Sequence, residues 1–207
     1  MIDLKIFDVL NDGSFPLGDC RSAPGAIMKR MCEFIKPRVL EIGTAYGKQL
    51  QYFSSQCELV YSIDCMYDWV PNIRTEDKFN PELVNEDKFA SWKENSTDNC
   101  CLIIGSSYEV YSDPVDSFTL SNVGGFDVLI IDGDHSSIEG ISSDYFNYKK
   151  FLKQQHIVLF DDIQIKKVKQ GVDVVIKKLV DSSIQIDKKN IKVSGTGVET
   201  TVLIVKC

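Results

Sequence analysis

The chain has 207 residues, 43% of them hydrophobic, and a net charge of −7. This is enough apolar material for one α/β core, and no composition shift, repeat or low-complexity run divides it, so residues 1–207 read as a single domain. The acidic balance argues against a nucleic-acid surface, and no apolar run approaches the roughly 18 residues of a membrane span or resembles a signal peptide, so a cytoplasmic protein without a membrane partner is expected.

Residues 1–22, with Asn11-Asp12-Gly13 and Pro16, read as an irregular arm. A helix is expected from Ala23-Pro24, because Ile27, Met31, Phe34 and Ile35 repeat at helical spacing and Pro24 suits a first turn; Pro37 stops it. Val39 to Ile42 is a buried strand, Gly43 to Gly47 a tight glycine turn, and Lys48 to Ser55 the helix that follows. Leu59 to Ile63 is a second strand ending at Asp64, about 20 residues past the loop, where an acid can accept hydrogen bonds from a ribose diol. Together the two features favour a bound nucleoside, although a tight packing bend explains the glycines alone.

Residues 65–99 are the least regular part, an insertion with one helix near Pro81 to Glu94. Its aromatic residues, Tyr67, Trp69, Phe79, Phe89 and Trp92, serve either a substrate lid or the packing of the insertion onto the domain. Cys100 to Ile104 is a third strand, ending in Gly105-Ser106-Ser107-Tyr108, where small residues let an adenine ring lie against backbone; turn chemistry explains the same residues without a ligand. A short helix then runs to a break at Pro114. Phe126 to Ile131 is the fourth strand and ends at Asp132-Gly133-Asp134-His135.

Ser136 to Leu152 reads as a helix, with Ser136 and Glu139 at capping-box spacing. His156 to Phe160 is the fifth strand, ending at Asp161-Asp162, and Val172, Val175, Ile176 and Leu179 mark the next helix. Ser183 to Asp187 and Thr200 to Lys206 are two final strands joined through Gly195 and Gly197 as a hairpin. The fold class is therefore α/β: a mostly parallel seven-stranded sheet, helices on both faces, and a C-terminal antiparallel hairpin. Seven cysteines (Cys20, Cys32, Cys57, Cys65, Cys100, Cys101 and Cys207), without a CxxC pair, read as reduced and mostly structural.

Ligands on such sheets bind beyond the carboxyl ends of the strands, where Asp64, Gly105, Asp132, Asp161 and Asp162 all fall. If the fourth and fifth strands are neighbours, their ends lie about 4.8 Å apart, which brings Asp132 near Asp161 and Asp162. Three carboxylates there would repel one another, and a hard cation such as Mg²⁺ would resolve the conflict and hold the two oxygens of a diol. His135, at the same rim, can take a hydroxyl proton. The plainer readings are that His135 caps the next helix and that Asp161-Asp162 form an exposed turn.

These residues resemble the class I S-adenosylmethionine (SAM)-dependent methyltransferases over about Ala23 to Lys206, with Val39 to Gly47 similar to their first motif, Asp64 to their ribose-binding acid, and Gly105 to Tyr108 to their adenine-side loop. Asp132-Gly133-Asp134-His135 with Asp161-Asp162 is similar to the metal-dependent O-methyltransferases: the catechol, caffeoyl-CoA and macrolide-sugar enzymes and the cephalosporin-hydroxylase-like relatives. The resemblance implies a Rossmann-like class I methyltransferase fold, with SAM held by Glu41, Gly43, Thr44, Tyr46, Gly47, Asp64, Gly105, Ser106, Ser107 and Asp132. It also implies Mg²⁺ on Asp132, Asp161 and Asp162, with Asp132 and His135 catalytic. The catechol type has a lysine base where this chain has His135, and an Asn where it has Asp162.

The implied reaction is in-line methyl transfer to a hydroxyl of a small molecule, a sugar or phenolic diol. Because the arm is short for a substrate cap, a second subunit of a homodimer is expected to enclose part of the acceptor. Two other readings stand beside this one. A nucleotide-dependent oxidoreductase would need a Gly-x-Gly-x-x-Gly loop, and Ala45 occupies the middle position. A methyltransferase-like domain that binds a nucleoside or a protein without catalysis has the same fold.

Overall fold

Val39, Leu40, Glu41 and Ile42 are all buried, so the strand they form has no solvent face and must lie in the middle of a sheet covered on both sides. The computed structural model of the protein describes residues 22–67, 80–133, 137–192 and 198–207. In it β1 (Arg38–Ile42) lies between β2 (Leu59–Asp64) and β4 (Phe126–Ile131). The seven strands run in the order β3-β2-β1-β4-β5-β7-β6, where β3 is Cys100–Ile104, β5 Leu152–Phe160, β6 Gln185–Lys192 and β7 Glu199–Lys206. The first five are mutually parallel, and β7 is antiparallel to both of its neighbours. The expected hairpin closes the sheet.

Alternation along the strands divides the core in two. Val39, Val60, Val128, Ile130, Ile157 and Leu159 face α1 (Ala23–Cys32), α2 (Leu50–Phe53) and, through Trp92, α3 (Glu86–Asn95). Leu40, Leu129, Ile131, Val158 and Phe160 face α4 (Ser107–Ser112), α5 (Pro114–Ser121), α6 (Ile138–Tyr148) and α7 (Lys166–Asp181). Helices thus cover both faces. Among the described residues no helix is long and apolar enough to cross a membrane.

Several boundaries differ from the sequence expectation. The N-cap of α6 is Ser137, whose hydroxyl accepts from Gly140 N at 2.8 Å. Ser136 lies outside the described residues. Pro114 starts a helix rather than ending one: Asp113 Oδ1 accepts from Val115 N and Asp116 N and caps α5, whose first residue is the proline. β5 begins at Leu152, four residues before the expected start at His156, because Leu152 pairs with Phe126 of β4 and Gln155 with Lys206 of β7. β6 continues through Lys188, Lys189 and Asn190, an edge position where charged residues are the rule.

The register decides what happens at the ligand-binding end. Ile42 pairs with Ile63 and Ile131, and Ile131 with Phe160, so Gly43, Asp64, Asp132 and Asp161 form the next row. The ladder runs on into that row: Gly43 N donates to Ile63 O (2.9 Å), Asp132 N to Ile42 O (2.9 Å) and Asp161 N to Ile131 O (3.1 Å). Backbone pairing therefore holds Gly43, Asp132 and Asp161 in place, and pairing with Ile104 of β3 does the same for Asp64.

Candidate active site

The loop after β1 turns through three positive φ values, Gly43 (+90°), Ala45 (+48°) and Gly47 (+66°). Gly43 has to be glycine, since a Cβ there would lie 2.1 Å from Asp132 O. A Cβ on Gly47 would lie 2.8 Å from the Trp92 ring, so α3 packs directly on the loop. Ser91 Oγ donates to Tyr46 O (3.0 Å), and the ammoniums of Lys48 and Lys88 each stand 5.4 Å from the Tyr46 ring centre. The described part of the insertion is therefore packed onto the loop. Trp69, Pro71 and Phe79 lie outside the described residues.

Asp64 ties this loop to β2, with Oδ2 accepting from Ala45 N (2.8 Å) and Oδ1 from Met66 N (2.6 Å). Each oxygen keeps a further lone pair. Glu41 is fully buried on the α2 side of β1, and its carboxylate accepts from Ser62 Oγ (2.6 Å) and Gln49 Nε2. Burial pushes its pKa up against those bonds. Gln49 Oε1 in turn accepts from Ser22 Oγ (2.8 Å), the N-cap of α1. Glu41 thus acts on the loop's surroundings from beneath.

Between these elements lies a cleft of about 200 Å³. Its lining brings Gly43, Thr44, Tyr46 and Asp132 together with Ser22, Gln49 and Tyr52. Thr44 is buried; among the described residues its hydroxyl meets no partner at full hydrogen-bond geometry but lies close enough to Glu41 to help hold that carboxyl's pKa down. Nothing in the spacing of the sequence singled out Ser22, Gln49 or Tyr52.

Gly105 to Tyr108, expected to lie beside an adenine, is more occupied by the fold than the sequence implied. Gly105 N donates to Asp64 O (3.0 Å), continuing the ladder. Ser106 caps α4, its hydroxyl accepting from Glu109 N (3.2 Å) and donating to Glu109 Oε2 (3.0 Å). Ser107 Oγ donates to Asp144 Oδ1 of α6 (2.6 Å). Both serine side chains serve the fold here.

Asp161 is buried, accepts from Thr200 Oγ1 (2.6 Å), and is pushed up to a pKa of about 7 by burial, then by the charge of Asp132 and, more weakly, of Asp162. The register explains the Thr200 bond, since Phe160 pairs with Thr201. Asp162, at φ +54°, accepts from Gln164 Nε2 (2.6 Å). Among the described residues no group of three or more His, Cys, Asp or Glu side chains is arranged to hold a metal. Asp132 and Asp161 come together; Asp162 is turned to Gln164. Asp134 and His135 lie outside the described residues.

Residues 40–163 match the profile of a family described as a methyltransferase domain. The chain belongs to that family. Comparison with curated proteins gives no match. The fold of this methyltransferase is similar to that of the O-methyltransferase TomG from Streptomyces achromogenes, involved in tomaymycin synthesis and solved with SAM; the two are 16% identical with a TM-score of 0.64 over 90% of this chain and 81% of that one. Cofactor-bound Rv0187 from MTB is 14% identical, with a TM-score of 0.64 over 97% of this chain and 87% of that one. The O-methyltransferase from Bacillus cereus, solved with SAH, is 12% identical, with a TM-score of 0.60 over 98% of this chain and 89% of that one. At such identities the likeness is one of fold, the Rossmann-like class I methyltransferase fold.

Proposed function

We propose that this methyltransferase moves the methyl group of SAM to a hydroxyl oxygen of a small molecule, a sugar or phenolic diol, with a divalent cation assisting. The observation that supports this most is the row of Gly43, Asp64 and Asp132 at the carboxyl ends of three neighbouring strands, with Gly43 and Asp132 lining a cleft beside Thr44. The glycine loop and Thr44 would hold the donor, with Asp64 accepting from its ribose. Glu41 fixes Gln49 and so the wall of the cleft. The solved proteins with similar folds that carry SAM or SAH support the same choice of donor.

For the cation, the donor set is the test of fit. Asp132 and Asp161 are oxygen donors; burial first, and then the charge of Asp132, raises the Asp161 pKa, and a hard ion such as Mg²⁺ would favour both carboxylates in their charged form. Asp162 would complete the set on leaving Gln164. A bound cation supplies charge that favours the ionised hydroxyl. His135 is proposed as the group that takes the hydroxyl proton. The remainder of catalysis is positioning, holding acceptor oxygen and donor carbon in line.

The experiment is to replace Asp161 and Asp162 together with Ala. The expected result is loss of metal-dependent turnover and of Mn²⁺ binding, with S-adenosylhomocysteine affinity unchanged. Undiminished turnover in EDTA would sink the cation. His135→Ala should slow transfer and alter the pH–rate profile; an unaltered profile would count against His135 as the base.

A further inference from the structure

All of the described cysteines are free, and two of them face each other across elements that the sequence separates. Cys32 is the last residue of α1, and Cys57 follows the 3₁₀ turn Ser54–Gln56 that extends α2. Their Sγ atoms are 3.8 Å apart although the residues are 25 positions apart. A disulfide needs its sulfurs at about 2.05 Å, so closure asks for a shift of less than 2 Å, at a helix end. Cys57 is 2% exposed and its carbonyl is held by Asn99 Nδ2 (2.9 Å), whereas Cys32 is partly exposed.

We infer that Cys32 and Cys57 are a modification site: an oxidant of the low-molecular-weight disulfide class converts them into one intramolecular disulfide that staples α1 to the segment after the glycine loop. Cys32 is the entry point, because it is the more accessible thiol and the hydrogen bond from Cys57 holds its pKa below the ordinary value. Its thiolate attacks one sulfur of oxidised glutathione, forming a mixed disulfide and releasing one glutathione thiolate. Cys57 is held high chiefly by its bond to Cys32, a restraint that ends once Cys32 is in the mixed disulfide. The Cys57 thiol then gives up its proton to water and attacks Cys32 Sγ, expelling the second glutathione. Two electrons pass from the protein thiols to the reagent, and two glutathione thiols result. The loop so closed contains β1, the glycine turn and Gln49, and the helix that ends at Cys32 begins at its cap Ser22 on the cleft.

The test is to incubate the purified protein with oxidised glutathione and digest it without reduction. The expected product is a peptide pair linked through Cys32 and Cys57, lighter by two hydrogens than the separate peptides. The oxidised protein should melt on the order of 5–10 °C higher than the reduced one, as a constrained loop of this length implies. Cys32→Ser, at a partly exposed site, should fold and give neither the link nor the rise; Cys57→Ala is the second control. Oxidation that stops at a glutathione adduct on Cys32, a link between other cysteines, or a link without a rise in melting temperature would overturn the inference.

Discussion

Ala45 holds a left-handed backbone between two glycines that hold it too, and it does so because its N–H is tied to Asp64. A side chain in that region costs about 1–3 kcal/mol, while glycine adds freedom to the unfolded chain. Ala45→Gly should therefore stabilise the protein by about 0.5–1 kcal/mol in urea melts; a destabilised variant would show that the Ala45 methyl makes contacts outweighing the strain. Gly43→Ala is the opposite case, and its clash with Asp132 O should abolish folding or donor binding. Asp161 holds a buried charge beside another. Asp161→Asn should raise the melting temperature of the metal-free protein at pH 8 by about 2–4 °C while turnover is lost. A fall in melting temperature would mean that the carboxylate is better compensated than its surroundings indicate.

At the scale of elements, α3 is the prop of the glycine loop. Removing the Trp92 side chain should cost about 3–5 kcal/mol and weaken S-adenosylhomocysteine binding, because Gly47 rests on that ring; unchanged affinity would separate the insertion from the site. Midway along β5, His156 Nδ1 donates to Lys153 O (2.8 Å), and Nε2 pairs with Tyr145 OH (3.3 Å), accepting from it when the ring is neutral. Burial holds its pKa below the ordinary value. The unfolded chain takes up this proton near pH 6.5 and the folded one only at lower pH, so the contribution is complete above about 6.5 and is lost as pH falls through the folded value. Urea melts from pH 8 to 5 should show this loss, and His156→Gln should flatten it.

Elements were legible in the sequence to the extent that burial is two-sided. β1, β2, β4 and the later half of β5 are short, mainly apolar runs, while Gln155 and most of β6 are strand through their pairing with β7. Capping shifted by one residue at Ser137, since Ser136 and Ser137 offer the same hydroxyl one position apart. Asp64, Asp132 and Asp161 could be read as strand-end acids. Ser22, Gln49 and Tyr52 could not, because packing of α1 and α2, with no motif, brings them to the cleft. Nor did spacing tell that Ser106 and Ser107 would be engaged by Glu109 and Asp144.

Across the whole molecule, one register relation carries the account: parallel pairing of β2, β1, β4 and β5 sets a glycine and three acids in a row, and the core on both faces keeps the strands from slipping. The measurement that tests its central claim most directly is calorimetric titration of S-adenosylhomocysteine into the purified protein, once with Mg²⁺ and once with EDTA. The predicted result is binding of about −8 kcal/mol, micromolar affinity, under both conditions, and its loss in Gly43→Ala if that variant folds. Absence of binding under both conditions would contradict the account, leaving a methyltransferase fold whose cleft serves another ligand.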